Sequence, residues 1–324
     1  MTRQTVHSFE NSAFRPAAFR SASSRRGFAL VLVLFLVILM ASVISAFTMR
    51  TSASYRLTRS RAVSWRLYYA ARAAIEDSKS ALWRDFVAPK KVPGIAAPPA
   101  PGTFQFGGVD VTVTFQDEAG KLPVNDFAAP DAGRRKELSL VLARLFDKIS
   151  VPSSTPLATA ARDYIDEDTE GSYESGAKNE PLTDLSELLA IQRLTPDILY
   201  ATKREGVPPM ASLLTAWHGG AVNMNSADPV LLQSLAPRLT DSDAKGIIAT
   251  RAENPFVSME DLAARTNVSL DVTSELGKWA AFSTDTMTLK VEARLGVFVR
   301  RVEAVVWLDS TAAHTLYMRD GWQE

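Results

Sequence analysis

Arg25-Arg26-Gly27-Phe28-Ala29-Leu30-Val31-Leu32-Val33-Leu34-Phe35-Leu36-Val37-Ile38-Leu39-Met40 opens a run of 23 residues, Gly27 to Met49, without a charge. At ~1.5 Å per residue a helix of this length spans a hydrocarbon core of ~30 Å. A buried helix of a soluble protein seldom runs so far without one polar side. A cleavable secretory signal has a shorter apolar region, ~7–15 residues, ending at a small-x-small site. Ala41-Ser42-Val43 and Ser45-Ala46-Phe47 fit that site poorly. The run reads as a membrane-spanning helix.

The helix does not stop at the charge that ends the run. Leu57, Trp65, Tyr68, Ala71, Ile75, Leu82 and Phe86 recur mostly at gaps of three or four, the spacing of one helical face. No proline or glycine occurs between Phe28 and Ala88, and Glu76 precedes Lys79 by three. One continuous helix is expected over 28–87, on the order of 90 Å long. Its first part is lipid-like and its second amphipathic.

Of 324 residues, 46% are hydrophobic and 22% charged, with zero cysteines and three histidines. Disulfides, thiolate metal sites and a cysteine nucleophile are therefore excluded. The zero net charge hides an asymmetry. Residues 1–27 carry five arginines and one glutamate, 28–88 eight basic and three acidic residues, and 89–324 23 basic and 32 acidic residues. An acidic body argues against a nucleic-acid surface, which needs a positive field. Arg15, Arg20, Arg25 and Arg26 precede the span, and Arg50, Arg56, Arg59 and Arg61 follow it. Charge alone leaves the orientation open.

A basic leader ending Arg25-Arg26-Gly27, then Phe28-Ala29-Leu30-Val31-Leu32, resembles the prepilin class of type IV pilins and type II secretion pseudopilins. The resemblance implies a leader over 1–27, cleavage after Gly27 by a prepilin peptidase, and methylation of Phe28. It also implies a cytoplasmic leader and a body on the far side of the inner membrane. Glycine at the cut allows close approach of an extended backbone. Most pilins carry glutamate at the fifth mature position, where it is thought to neutralise a neighbour's ammonium in the filament core. Here that position is Leu32. A subunit at the very tip has no neighbour above it and avoids burying an unpaired carboxylate. In this the chain resembles the type II secretion minor pseudopilins of the protein K family.

The rest of the chain fits the same reading. Residues 88–102, with five prolines, read as a linker. Val109–Phe115 alternates like a half-buried strand, and Thr288–Leu295 with Val297–Leu308 form two alternating runs about Gly296, an antiparallel hairpin. The expected fold is α+β: a pilin-like long helix on a small antiparallel sheet (103–124 and 284–324), interrupted by a large all-α insertion over 125–283. That insertion contains an internal similarity. Gly120-Lys-Leu-Pro-Val-Asn125 parallels Gly220-Ala-Val-Asn-Met-Asn225, and Pro181–Ala190 parallels Pro255–Ala264. Two helical lobes of helix-hairpin-helix or SAM-like type are expected. In the second, Val230–Ala236, Asp241–Arg251 and Ser258–Arg265 read as helices, with Asp228 and Pro229 at the start. The turn Ala236-Pro-Arg-Leu-Thr240 lacks the glycine that a phosphate-binding hairpin needs, which favours protein packing over DNA.

Asp163, Asp166, Glu167, Asp168, Glu170 and Glu174 place six carboxylates within twelve residues. Hard oxygen donors in a loop suit calcium. Asp166, Asp168, Glu170, Gly171 and Glu174 stand at positions 1, 3, 5, 6 and 9 of an EF-hand-like loop, but position 12 is Ala177. Asp163-Tyr-Ile-Asp-Glu-Asp168 also resembles a protein K stretch associated with calcium, which implies Asp163, Asp166, Asp168, Glu170 and Glu174 as candidate ligands. No catalytic constellation is visible, and His218 has no obvious Ser or Asp partner nearby in sequence. The resemblance implies an assembly subunit and not an enzyme. It would start or cap a pseudopilus and limit its length during export of folded proteins across the outer membrane. Its partners would be other minor pseudopilins, the major pseudopilin, the peptidase and the membrane, with no nucleic acid. Leu32, Trp65, Tyr68, Ile75 and Leu82 are the expected contact residues. A minor type IV pilin or adhesin is the alternative; a tethered hydrolase fits less well.

Overall fold

The computed structural model describes residues 23–88, 94–202 and 206–321, without the side chains of 23–26. The leader expected at 1–27 therefore lies outside the described residues up to residue 22. Helix α1 runs Ser23–Leu82 and passes into a π-turn, Trp83–Val87, which matches the continuous helix expected from the sequence. The chain divides into two units at Ala62/Val63.

In the first unit α1 is exposed along its apolar length. Two of its hydroxyls bond back to the helix: Ser42 Oγ donates to the Ile38 carbonyl at 2.8 Å and Thr48 Oγ1 to the Ile44 carbonyl at 2.7 Å. Back-bonded hydroxyls add little polar surface to an apolar helix.

The second unit has a five-stranded antiparallel sheet in the order β1 (Gly102–Phe106), β2 (Val109–Asp117), β7 (Thr286–Leu295), β8 (Phe298–Leu308), β9 (Ala313–Asp320). The expected hairpin is β7–β8, closed at Gly296, whose φ of +59° suits a residue without a Cβ. Alternation in β2 turns Val109, Val111 and Val113 inward, on the same face of the sheet as Leu289, Val291, Val302 and Ala304. The last turns of α1 cover this face with Leu67, Ala70, Ala71, Ala74 and Ile75. Small residues here let helix and sheet approach closely. The proline-rich segment is more than a linker: Ile95 is buried and pairs with Thr284.

Between β2 and β7 the chain is mainly helical: α2 (Ala132–Lys148), α3 (Ser154–Ile165), α4 (Pro196–Tyr200), α5 (Pro229–Leu235), α6 (Asp241–Glu253), α7 (Met259–Arg265) and α8 (Leu270–Gly277). Asp228 caps α5, accepting from the Val230 amide at 2.8 Å, with Pro229 in the first turn as its sequence predicts. Four two-residue strands add detail beyond the helices. β3 (Leu122–Pro123) pairs in parallel with β4 (Leu214–Thr215), and β5 (Val222–Asn223) with β6 (Ala280–Ala281).

These ladders give the internal similarity a physical form. Two residues after β3, the Asn125 carboxamide accepts from the Leu182 amide at 2.7 Å. It donates to the Leu182 carbonyl at 2.9 Å and the Ala216 carbonyl at 2.7 Å. Two residues after β5, Asn225 accepts from the Phe256 amide at 2.7 Å. It donates to the Phe256 carbonyl at 2.9 Å and the Phe282 carbonyl at 3.0 Å. In both cases the doubly bonded residue follows a proline, Pro181 or Pro255, and the third carbonyl directly follows the partner strand. The two lobes are one unit used twice, around a shared core that includes Phe127, Leu142, Phe146, Leu231, Ile247 and Trp279.

Candidate functional site

Two surfaces carry the residues singled out by sequence: the stem and the acidic loop. On the stem, Leu32 lies within the exposed apolar stretch. The expected cut between Gly27 and Phe28 falls inside α1, so the backbone there must unwind to enter a peptidase extended. Trp65 is 57% and Tyr69 61% exposed, while Tyr68 is half-buried. The Trp65 and Tyr69 rings stack at 5.8 Å, and Arg300 lies over Tyr68 at 4.9 Å. Beside them a cavity of about 370 Å³ opens between Trp65, Tyr69, Ala73, Phe106 and Val109. Aromatic rings and arginine are the side chains that dominate protein interfaces.

Ile75 and Leu82 do not belong to that surface. They are 1% and 2% exposed and sit in the protein's own core against the sheet. The helical periodicity placed them on an apolar face, but that face is already covered.

The acidic loop follows α3. Asp166, Asp168 and Glu174 bring carboxylate oxygens within 4.8 Å of one another. Asp166 Oδ1 and both Glu174 oxygens are buried without a hydrogen-bond partner. Burial, with Asp168, Asp163 and Glu174 nearby, raises the Asp166 pKa to about 6 against the pull of Arg162. Unpartnered buried carboxylate oxygens converging on one point are what a hard cation satisfies. The donor set fits calcium, with Asp166, Asp168 and Glu174 as the side chains that would hold it. They occupy positions 1, 3 and 9 of the loop.

Asp163 and Glu170 fall outside this group. Asp163 is fully buried and used up as a loop brace: Oδ1 accepts from Arg162 Nη2 at 2.6 Å, and Oδ2 from the Ser172 and Tyr173 amides at 3.0 and 3.1 Å. Glu170 is exposed, and its amide donates to Asp168 at 3.0 Å. Gly171 makes the fold of the loop possible. A Cβ there would sit 2.4 Å from Asp163 Oδ2 and 2.6 Å from Glu174 Oε1.

A buried polar joint, not singled out by sequence, fastens the helical region to the sheet. Glu118, at the end of β2, accepts from Lys121, Thr215 and Thr288. Asp117 accepts from the Ala119 amide at 2.8 Å, Asn223 at 2.7 Å and the Ser226 hydroxyl. The visible signal was an Asp-Glu pair directly after an alternating strand. His218 faces the Ala221 carbonyl at 3.1 Å and Asp285 at 3.6 Å. Burial pulls its pKa down, but those two acceptors outweigh it and leave the pKa above the ordinary value. The pair joins a loop to the residue just before β7.

Comparison with solved structures places the chain among known folds. It resembles a chain of the crystal structure of the GspK–GspI–GspJ complex from the enterotoxigenic Escherichia coli Type 2 Secretion System. The TM-score is 0.64 at 18% identity, covering 82% of this chain and 99% of that one. The fold, a long helix, an antiparallel sheet and a helical insertion, is thus shared with a chain of that complex. More particularly, residues 222–281 match the family model of type II secretion system protein K. That match runs from the start of β5 to the end of β6, which is the second lobe. No curated protein sequence gives a significant match. The resemblance read from the leader and the insertion agrees with both findings.

Proposed function

We propose that this chain is a minor pseudopilin of protein K type that stands at the tip of a type II secretion pseudopilus. The observation that carries the reading is the coincidence of two independent likenesses. A protein K pattern covers the second lobe, and a pseudopilin-complex fold covers nearly the whole of the compared chain. The apolar part of α1 anchors the chain in the inner membrane as a single span, with the body periplasmic. Leu32 in place of glutamate suits a subunit with none above it. Its role is assembly and not catalysis: starting or capping the filament and limiting its length during protein export. Partners are the other minor pseudopilins and the major pseudopilin, met through Leu32 and the Trp65–Tyr68–Tyr69 surface.

Calcium in the Asp166–Asp168–Glu174 loop would neutralise three converging carboxylates and pin the loop without a disulfide. The processing step tests the class. Mass spectrometry of the membrane-extracted protein, made with and without a prepilin peptidase, is expected to show loss of residues 1–27 and gain of one methyl group only with the enzyme. An uncut chain would contradict the reading.

A further inference from the structure

We propose that Arg50, Arg56, Arg59 and Arg61 bind the phosphate headgroups of an anionic lipid surface and hold the lower stem against the membrane. The inference rests on the membrane-anchored reading above. These four arginines begin where the uncharged run ends, and no acidic residue occurs from 11 to 75. All four are exposed on the unbroken helix α1, and among the described residues none has an ion-pair partner. Several arginines of the body are used differently: Arg134 pairs with Asp126, Arg162 with Asp163 and Arg319 with Glu303. Exposed Tyr55 lies among the four, and tyrosine with arginine is the composition of a membrane interface.

The direction of the side chains distinguishes lipid from protein as the occupant. At ~100° per residue, Arg50 and Arg61 point within about 20° of each other, while Arg56 and Arg59 point about 240° and 180° from Arg50. A partner helix covers one face and would be met by a stripe. A headgroup layer surrounds a helix, and so do these charges. Along the axis, Arg56 lies ~9 Å and Arg61 ~17 Å beyond Arg50. The headgroup region is ~5–7 Å deep on each side and the Debye length ~8 Å. Arg50 and Arg56 therefore reach phosphate directly, and Arg59 and Arg61 feel the surface field. The arginines nearer the span carry more of the effect.

The chain has no cysteine, so a single Ser60→Cys substitution gives one site for a fluorophore. The full chain is reconstituted in vesicles of phosphatidylcholine alone or with a quarter phosphatidylglycerol, and quenching by neutral acrylamide is measured. Protection in the phosphatidylglycerol vesicles is expected, lost in high salt and reduced in the Arg56→Gln/Arg59→Gln/Arg61→Gln variant, which keeps Arg50. Each arginine near the surface shifts the balance between lipid-bound and water-exposed stem about fivefold. Restoring Arg56 alone is expected to recover more protection than restoring Arg61 alone. Equal quenching in both vesicles, or protection unchanged in the triple variant, overturns the proposal. So does protection that arises only when a second pilin subunit is added. A label at Ser42→Cys reports the anchor separately. Protected Ser42 with no lipid difference overturns the lipid site alone, whereas water-exposed Ser42 overturns the anchor and the lipid site together.

Discussion

Asn125 and Asn225 are the residues on which the two lobes turn. Each carboxamide satisfies one amide and two carbonyls from segments far away in sequence. Removing such a side chain leaves buried backbone groups unpaired, at ~1–3 kcal/mol each when no water enters. Asn225 is only 6% exposed and Asn125 is half-buried. Asn225→Ala is therefore expected to cost about 3 kcal/mol in denaturant unfolding and Asn125→Ala less, because water reaches its site. Equal, small effects would show that the carboxamides are not the hinge of the fold. The sequence displayed this pair, since the spacing of the two Gly-to-Asn segments is the same. It did not display the partners, which are backbone groups of residues whose side chains say nothing about the bond.

Glu187 also acts at this scale. Burial alone would raise its pKa, but Lys178, Thr183 and the amides of residues 183 and 184 outweigh it and lower it to about 2. A carboxylate lowered in the fold contributes stability that is present above its unfolded pKa of ~4.3 and is lost as pH falls toward 2. Glu187→Gln is expected to flatten the acid limb of the stability curve in that window and to lower stability at neutral pH. An acid limb that stays unchanged would contradict the pairing.

Among the elements, the acidic loop depends on a single glycine. Gly171→Ala forces a Cβ into Asp163 and Glu174, which must then move apart. Calorimetric titration is expected to show calcium binding to the wild-type chain and a loss of at least about tenfold in affinity in Gly171→Ala, the scale seen when groups supporting a metal site are disturbed. Glu170→Gln is expected to bind as the wild type does. A strong effect from Glu170 and none from Gly171 would mean that the ligands are misassigned. Loop spacing points to the carboxylates at positions 1, 3, 5 and 9 alike, and the fold brings together only those at 1, 3 and 9. The brace made by Asp163 was not legible, because a buried acid and a metal ligand look alike in sequence. Strands differed in the same way. β2 alternates because one face lies in the core, whereas Thr286–Leu289 of β7 and Val302–Val306 of β8 are buried on both faces, which a period of two does not announce. The edge strands β1 and β9 carry weaker patterns, being partly solvated on both faces. Helix α1 was the most legible element, yet its periodicity could not say whether Ile75 and Leu82 were covered by the chain itself or by a partner.

The molecule as a whole joins a membrane-length apolar helix, a sheet and a duplicated helical region in one chain. The joint at Asp117 and Glu118 is buried and fully hydrogen-bonded, which holds the duplicated region in a defined position on the sheet. A defined position is what a subunit needs in order to present one surface to its neighbours. The most direct measurement of the proposed role is co-purification of the full chain with two minor pseudopilins from the same organism, read as mass and stoichiometry in detergent. The account predicts a stable complex with one copy of each, weakened by Trp65→Ala/Tyr69→Ala and unaffected in fold. A chain that folds and inserts in the membrane but forms no complex with either subunit would contradict it.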